Sequence, residues 1–173
     1  MTISPIRAML AGAALLLTGA AASSLPGPHP ELRRLAPLVG GVWFAEGEVA
    51  GAGSYRAERR HEWALDSTYL RVRQTIAFDT LTIAEELLIG WHEAEQRLHV
   101  WSFASDGSHS EGYTVPGDDP RRWTVEGRTI GGRGGEWRTT LFMFDDDAFS
   151  LLLELRSGRE FVPGLTLAFR RQR

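Results

Sequence analysis

The 173-residue chain contains no cysteine, no lysine and no asparagine. Without cysteine there is no disulfide, no thiol nucleophile and no lipid attachment through an N-terminal cysteine. Without asparagine there is no N-glycosylation acceptor. Every basic side chain is therefore arginine, and with the abundant Ala and Gly we read this skew as coding bias, not as a phosphate-binding signature. A domain of about 150 residues buries enough apolar surface to stand without covalent staples. Positive charge is also short: 19 Arg stand against 22 Asp and Glu, a formal net charge of −3. That mild acidity argues against nucleic acid, whose binding draws on clustered positive charge.

Met1–Ser24 reads as a secretory signal, with Arg7 in the n-region, an apolar run from Ala8 to Leu17, and small residues from Gly19 to Ser24. The competing reading, an uncleaved membrane anchor, needs about 20 apolar residues. This run is shorter and dissolves into Ala, Gly and Ser, so cleavage after Ala22 or Ser24 is expected. The product would be an exported protein, periplasmic or secreted, with no stable membrane anchor. Leu25–Pro30 is a proline-rich tether, and the remaining residues, 31–173, form one domain without internal repeat.

Helical signal is scarce. Leu32, Leu35 and Ala36 fall at helical spacing, which predicts one or two turns halted by Pro37. Beyond it, short runs rich in aromatic and β-branched residues alternate with turn signals, the pattern of an all-β sandwich or barrel. Ten strands are expected, at 39–48, 54–65, 69–78, 81–91, 97–104, 110–115, 122–129, 136–144, 148–156 and 162–170. Links of two to five residues imply antiparallel neighbours in an up-and-down meander. An open meander of this length leaves two exposed edges, which closure into a barrel removes; a two-sheet sandwich is the alternative.

Gly41-Val42-Trp43 follows the short helical segment and opens the first strand. This resembles the G-x-W signature of lipocalins and related calycin barrels. The layout of Leu38–Trp43, His61–Leu65 and Tyr69–Arg71 is similar to that of uncharacterised bacterial lipocalin-like domains. The resemblance implies a single antiparallel barrel whose floor Trp43 plugs, with a basic residue of the last strand, Arg170 or Arg171, against the indole. Gly41, Trp43 and Arg170 would thus be structural. Ten-stranded haem-binding relatives use a late histidine as iron ligand. The last histidine here, His109, precedes the final strands, so no haem or other cofactor is expected.

Strand alternation phases the interior. In 54–65 the odd positions are the apolar ones, and they bring Arg59 and His61 inward with Trp63. In 81–91 the odd positions bring in Glu85. In 97–104 the set Trp101 and Phe103 would carry His99 inward, and Trp123 and Trp137 add wall farther on. The expected ligand site is Arg59, His61, Trp63, Glu85, His99, Trp101 and Trp137, polar groups within an aromatic and aliphatic lining. A plainer reading makes Arg59–Glu85 an internal ion pair and His61 a hydrogen-bonded core residue. Asp145-Asp146-Asp147 lacks calcium-loop spacing and reads as a hairpin turn. Gly131–Gly135 has no following helix to cradle phosphate and reads as a loop.

Three functions fit these residues. The leading one is an extracytoplasmic binder of a small apolar or amphipathic molecule, Arg59 and His61 fixing its polar end. The second is an isomerase, hydratase or lyase using His61 as acid or base. The third is an interaction module whose barrel is filled by its own aromatics.

Overall fold

The computed structural model describes residues 27–49, 53–131 and 134–172. The expected signal segment lies outside the described residues, as do parts of the Gly51–Gly53 and Gly131–Gly135 links. The elements run α1 (Pro30–Arg33), a 3-10 turn (Ala36–Leu38), then β1 (Val42–Val49), β2 (Gly53–Ala64), β3 (Tyr69–Phe78), β4 (Thr82–His92) and β5 (Arg97–Ala104). They continue with β6 (His109–Val115), β7 (Arg122–Ile130), β8 (Gly135–Asp145), β9 (Ala148–Ser157) and β10 (Glu160–Gln172). All ten expected strands are present, with ends displaced by at most three residues.

Each strand pairs antiparallel with its sequence neighbours, and β1 meets β10 to close the barrel. The closing register is short, Val42↔Gln172, Trp43↔Arg171 and Phe44↔Arg170. Closure overturns the sandwich alternative and leaves no sheet edge to protect.

The largest shift in a strand end is at β1, which begins at Val42 and not at residue 39. Gly40 and Gly41 have φ of +81° and +70°, a left-handed geometry, outside the extended range of a strand, that glycine takes without steric cost. These two glycines swing the chain from the floor into the wall. The helical segment also departs from expectation. α1 stops at Arg33, and Pro37 lies within the 3-10 turn instead of ending a continuous helix. Proline suits such a first turn because its missing N–H has no partner to lose. Leu32, Leu35 and Leu38 are the buried positions, whereas Ala36 is exposed.

These three leucines close one end of the barrel, with α1 packed against β4 and β5. Above them Trp43 is fully buried and donates from Nε1 to the Leu38 carbonyl at 2.9 Å. Phe149 meets Trp43 edge-on, ring centres 4.8 Å apart, and stacks on Phe169 at 4.9 Å. His29, in the expected tether, stacks on Trp91 at 3.8 Å, so the tether packs back on the body at that point.

The basic residue against Trp43 is Arg171, whose guanidinium carbon lies 4.2 Å from the indole centre. Arg170 is exposed, and its place opposite Phe44 on the outer face explains why it is not the partner. Successive strand residues point to opposite faces, and Arg171 is the one in register with Trp43. Its Nη1 donates to the Gly40 carbonyl at 2.7 Å, and its Nη2 donates to the Pro37 carbonyl. Arg171 thus ties the last strand to the floor turn, and the cation–π contact adds roughly 0.5–2 kcal/mol.

Candidate functional site

The barrel encloses a cavity of about 530 Å³ that runs from Leu35 on the floor to Asp106 and Ser108 beside the β5–β6 turn. This is the size class of small-molecule sites, and it overturns the filled-barrel reading. Its wall is mostly aliphatic, from Ile76, Leu87, Leu141, Leu151 and Leu167, with Trp123 and Trp137 on the β7–β8 side.

Trp137 owes its place to two glycines. Gly112 and Gly127 face each other across the β6–β7 pair. A methyl group on Gly127 would lie 2.5 Å from the Trp137 ring, and one on Gly112 would lie 2.9 Å from it. The indole edge therefore packs closely against bare backbone at both glycines. Either glycine replaced by a larger residue forces the ring off the wall.

Among the polar side chains that line the cavity, three stand on one rung of the sheet, while Ser102, Ser110, Thr114, Thr129 and Thr139 add hydroxyls elsewhere on the wall. Arg59 on β2 is paired with Gln74 on β3, and Gln74 is paired with Glu85 on β4. All three point inward, because the inward faces of these strands are the odd, even and odd positions in turn. Arg59 Nη1 donates to Gln74 Oε1 at 2.6 Å, and Gln74 Nε2 donates to Glu85 Oε2 at 2.7 Å. The amide thus bridges cation and carboxylate. Among the described residues Arg59 and Glu85 make no direct ion pair.

The fourth member of the chain is His61. Arg59 Nε donates to His61 Nε2 at 3.1 Å. The imidazole lies toward the floor, edge-on to Phe149 at 6.0 Å and to Trp43 at 6.4 Å. Accepting at Nε2 places the neutral ring's proton on Nδ1, which is buried without a partner among the described residues. Burial, then the charges of Arg59 and Arg171, hold its pKa well below the usual imidazole value. Burial also pulls the Arg59 guanidinium down to about 10, with Glu85 opposing the shift. Arg59 stays charged at neutral pH and His61 stays neutral.

The structure brings together Arg59, Glu85 and Trp137 of the expected site residues, all lining the cavity. His61 is 3% exposed and stands behind Arg59 instead of lining the cavity. Its link to the cavity runs through Arg59, to which it is hydrogen-bonded. Trp63 packs partly buried against the core near the closed end and does not line the cavity.

His99 and Trp101 point away from the cavity, which corrects the phase expected for this strand. Leu98, Val100, Ser102 and Ala104 are the inward positions of β5. The outward aromatics pack on one another, His99 stacking on Tyr113 at 4.1 Å and lying 3.9 Å from Trp101. Arg97 caps Tyr113 at 4.1 Å. An aromatic run can cover the outside of a barrel as well as line it, so ring content alone misassigns the face. Burial, then the neighbouring His92, depresses the pKa of His99.

Gln74 is the residue that sequence reasoning missed. The signal was available, since Leu70, Val72, Ile76 and Phe78 share its phase in β3. The Asp145–Asp147 segment forms the β8–β9 turn, where Asp145 Oδ1 accepts from the Asp147 backbone N–H at 2.8 Å. Among the described residues no three acidic or histidine side chains converge as a metal site.

Fold and site together define a closed ten-stranded up-and-down β-barrel with a polar rung inside an apolar cavity. This architecture is compatible with a lipocalin-like fold. No protein-family model matches the chain, and no curated protein matches it.

Proposed function

We propose that this chain is an exported binding protein that holds a small apolar or amphipathic molecule inside its barrel. The observation that carries the reading is the cavity of about 530 Å³, with Arg59 and Glu85 on one rung and a largely apolar wall around them. Burying a guanidinium costs several kcal/mol unless hydrogen bonds and an opposite charge offset it. A barrel that served only as a scaffold would be more stable with apolar residues there. The polar rung is what a binding site needs to orient one end of a molecule whose body contacts leucine and tryptophan. Export rests on the Met1–Ser24 pattern, and the acidic balance supports a small-molecule partner over nucleic acid.

Native mass spectrometry of the protein purified from its own host tests this reading. The expected result is a reproducible small-molecule adduct that Arg59→Met removes. A clean apo mass, together with no binding of a solvatochromic dye, overturns it.

A further inference from the structure

The polar rung also specifies the kind of head group the cavity takes, an inference that rests on the binding reading above. Among the described residues, three charged side chains line the cavity, Arg59, Glu85 and Asp106. Asp106 is exposed at the turn beside the mouth, where its Oδ1 accepts from the Ser108 backbone at 2.9 Å and from the Ser108 hydroxyl at 2.7 Å. Deeper inside, Arg59 and Glu85 are one cation and one anion held through Gln74. The inner site is therefore charge-balanced before any molecule enters.

Hydrogen-bonding capacity remains on both sides of that balance. Among the described residues, Arg59 Nη2 and Glu85 Oε1 have no hydrogen-bond partner, although Arg59 Nε, Arg59 Nη1 and Glu85 Oε2 are all engaged. Neither free atom is sealed in the protein, since both residues line the cavity and neither atom is among the buried unpartnered ones. The cavity thus offers one charged donor and one charged acceptor from the same rung.

The geometry points to an uncharged ligand whose head both accepts and donates a hydrogen bond, such as a hydroxyl or a primary amide on an apolar body. A carboxylate could bond to Arg59, but it would leave the low-dielectric interior with one uncompensated negative charge beside Glu85. An ammonium group could bond to Glu85, but would sit against Arg59 with the opposite imbalance. An unpaired charge away from water costs several kcal/mol. A neutral head gains a charge-assisted hydrogen bond at each end without that cost.

Three probes of equal chain length separate the cases: decanol, decanoate and decylammonium, each titrated calorimetrically and by displacement of a solvatochromic dye from the barrel. Decanol is expected to bind at least tenfold more tightly than either charged probe. Glu85→Gln removes the compensating anion and is expected to improve decanoate at least tenfold relative to decanol, with thermal unfolding confirming that the variant folds. Decanoate equal to or tighter than decanol in the unmodified protein overturns the proposal while leaving the binding reading intact. An unchanged ranking in a folded Glu85→Gln variant also overturns it. Failure of all three probes and of the dye overturns the binding reading itself. If the variant does not fold, the ranking in the unmodified protein decides alone.

Discussion

The floor of the barrel and the rung above it use similar residues in different ways. At the floor, Trp43 gives its N–H to Leu38, and Arg171 directs its guanidinium at the carbonyls of Pro37 and Gly40 while covering the indole. The groups there are directed at the protein itself. On the rung, Arg59 and Glu85 are bridged by Gln74 and each keeps a hydrogen-bonding position that no described residue fills. Both regions contain an arginine beside aromatic and apolar neighbours, so residue type does not distinguish structure from site. Uncommitted polar capacity facing a cavity does.

The largest effect should come from the floor. Trp43→Ala removes a fully buried indole, its hydrogen bond and its contact with Arg171. A loss of about 3–5 kcal/mol is expected, read from the shift of the chemical unfolding midpoint. A loss under about 1 kcal/mol would mean that the floor is not a stability element, and the contrast drawn above would fail.

The rung should behave differently. Glu85→Leu alone leaves the Arg59 guanidinium buried without its compensating anion, and a loss of about 3 kcal/mol is expected. Arg59→Met combined with Glu85→Leu removes both charges, and stability should return to within about 1 kcal/mol of the unmodified protein or exceed it. Unfolding curves of the two single variants and the double variant give the coupling directly. A double variant as unstable as the singles combined would make the rung a structural device like the floor.

Much of this was legible in the sequence, for reasons that can be traced to particular residues. Strand phase placed Arg59 inside because apolar and charged side chains alternate in β2. It placed Glu85 inside with the apolar odd positions Ile83, Leu87 and Ile89 of β4, although the runs Glu85-Glu86 and Leu87-Leu88 break a strict alternation there. β5 misled because Trp101 and Phe103 are large and apolar, yet Phe103 is 56% exposed and Leu98 and Val100 form the wall. An aromatic can be buried by its outer-face neighbours as well as by a core. Gln74 escaped because a neutral amide carries no chemical signal alone. Only the register of two hairpins puts it between Arg59 and Glu85. The choice of Arg171 over Arg170 likewise depended on the pairing of β10 with β1.

The opposite wall sharpens the contrast in a different way. Gly127→Ala would place a methyl group 2.5 Å from Trp137 and 2.4 Å from the Glu111 carbonyl. Overpacking of this kind costs about 1–3 kcal/mol, and it should push the indole toward the cavity. The expected readouts are a changed Trp137 emission against a Trp137→Phe control and weaker dye binding. Dye affinity unchanged in a folded Gly127→Ala variant would remove Trp137 from the ligand wall.

The smallest effect, and the one most specific to the junction of floor and rung, concerns pH. The pKa of His61 is depressed in the folded protein by burial and by the charges of Arg59 and Arg171, whereas the unfolded chain has the ordinary imidazole value of about 6.5. Above that pH both states are neutral at His61, and it imposes no slope on stability. As pH falls below about 6.5 the unfolded state takes up a proton that the folded state refuses, so stability declines until the pH reaches the folded pKa. The contribution approaches one proton, about 1.4 kcal/mol per pH unit. His61→Gln keeps an acceptor for Arg59 Nε and removes the titration. The difference in unfolding free energy between the two proteins should therefore be flat from pH 7 to 8 and should change by about 1 kcal/mol between pH 6 and 5. Parallel curves across that range would show that His61 gains its proton in the folded state. The burial and paired geometry behind Arg59 would then not hold the ring neutral.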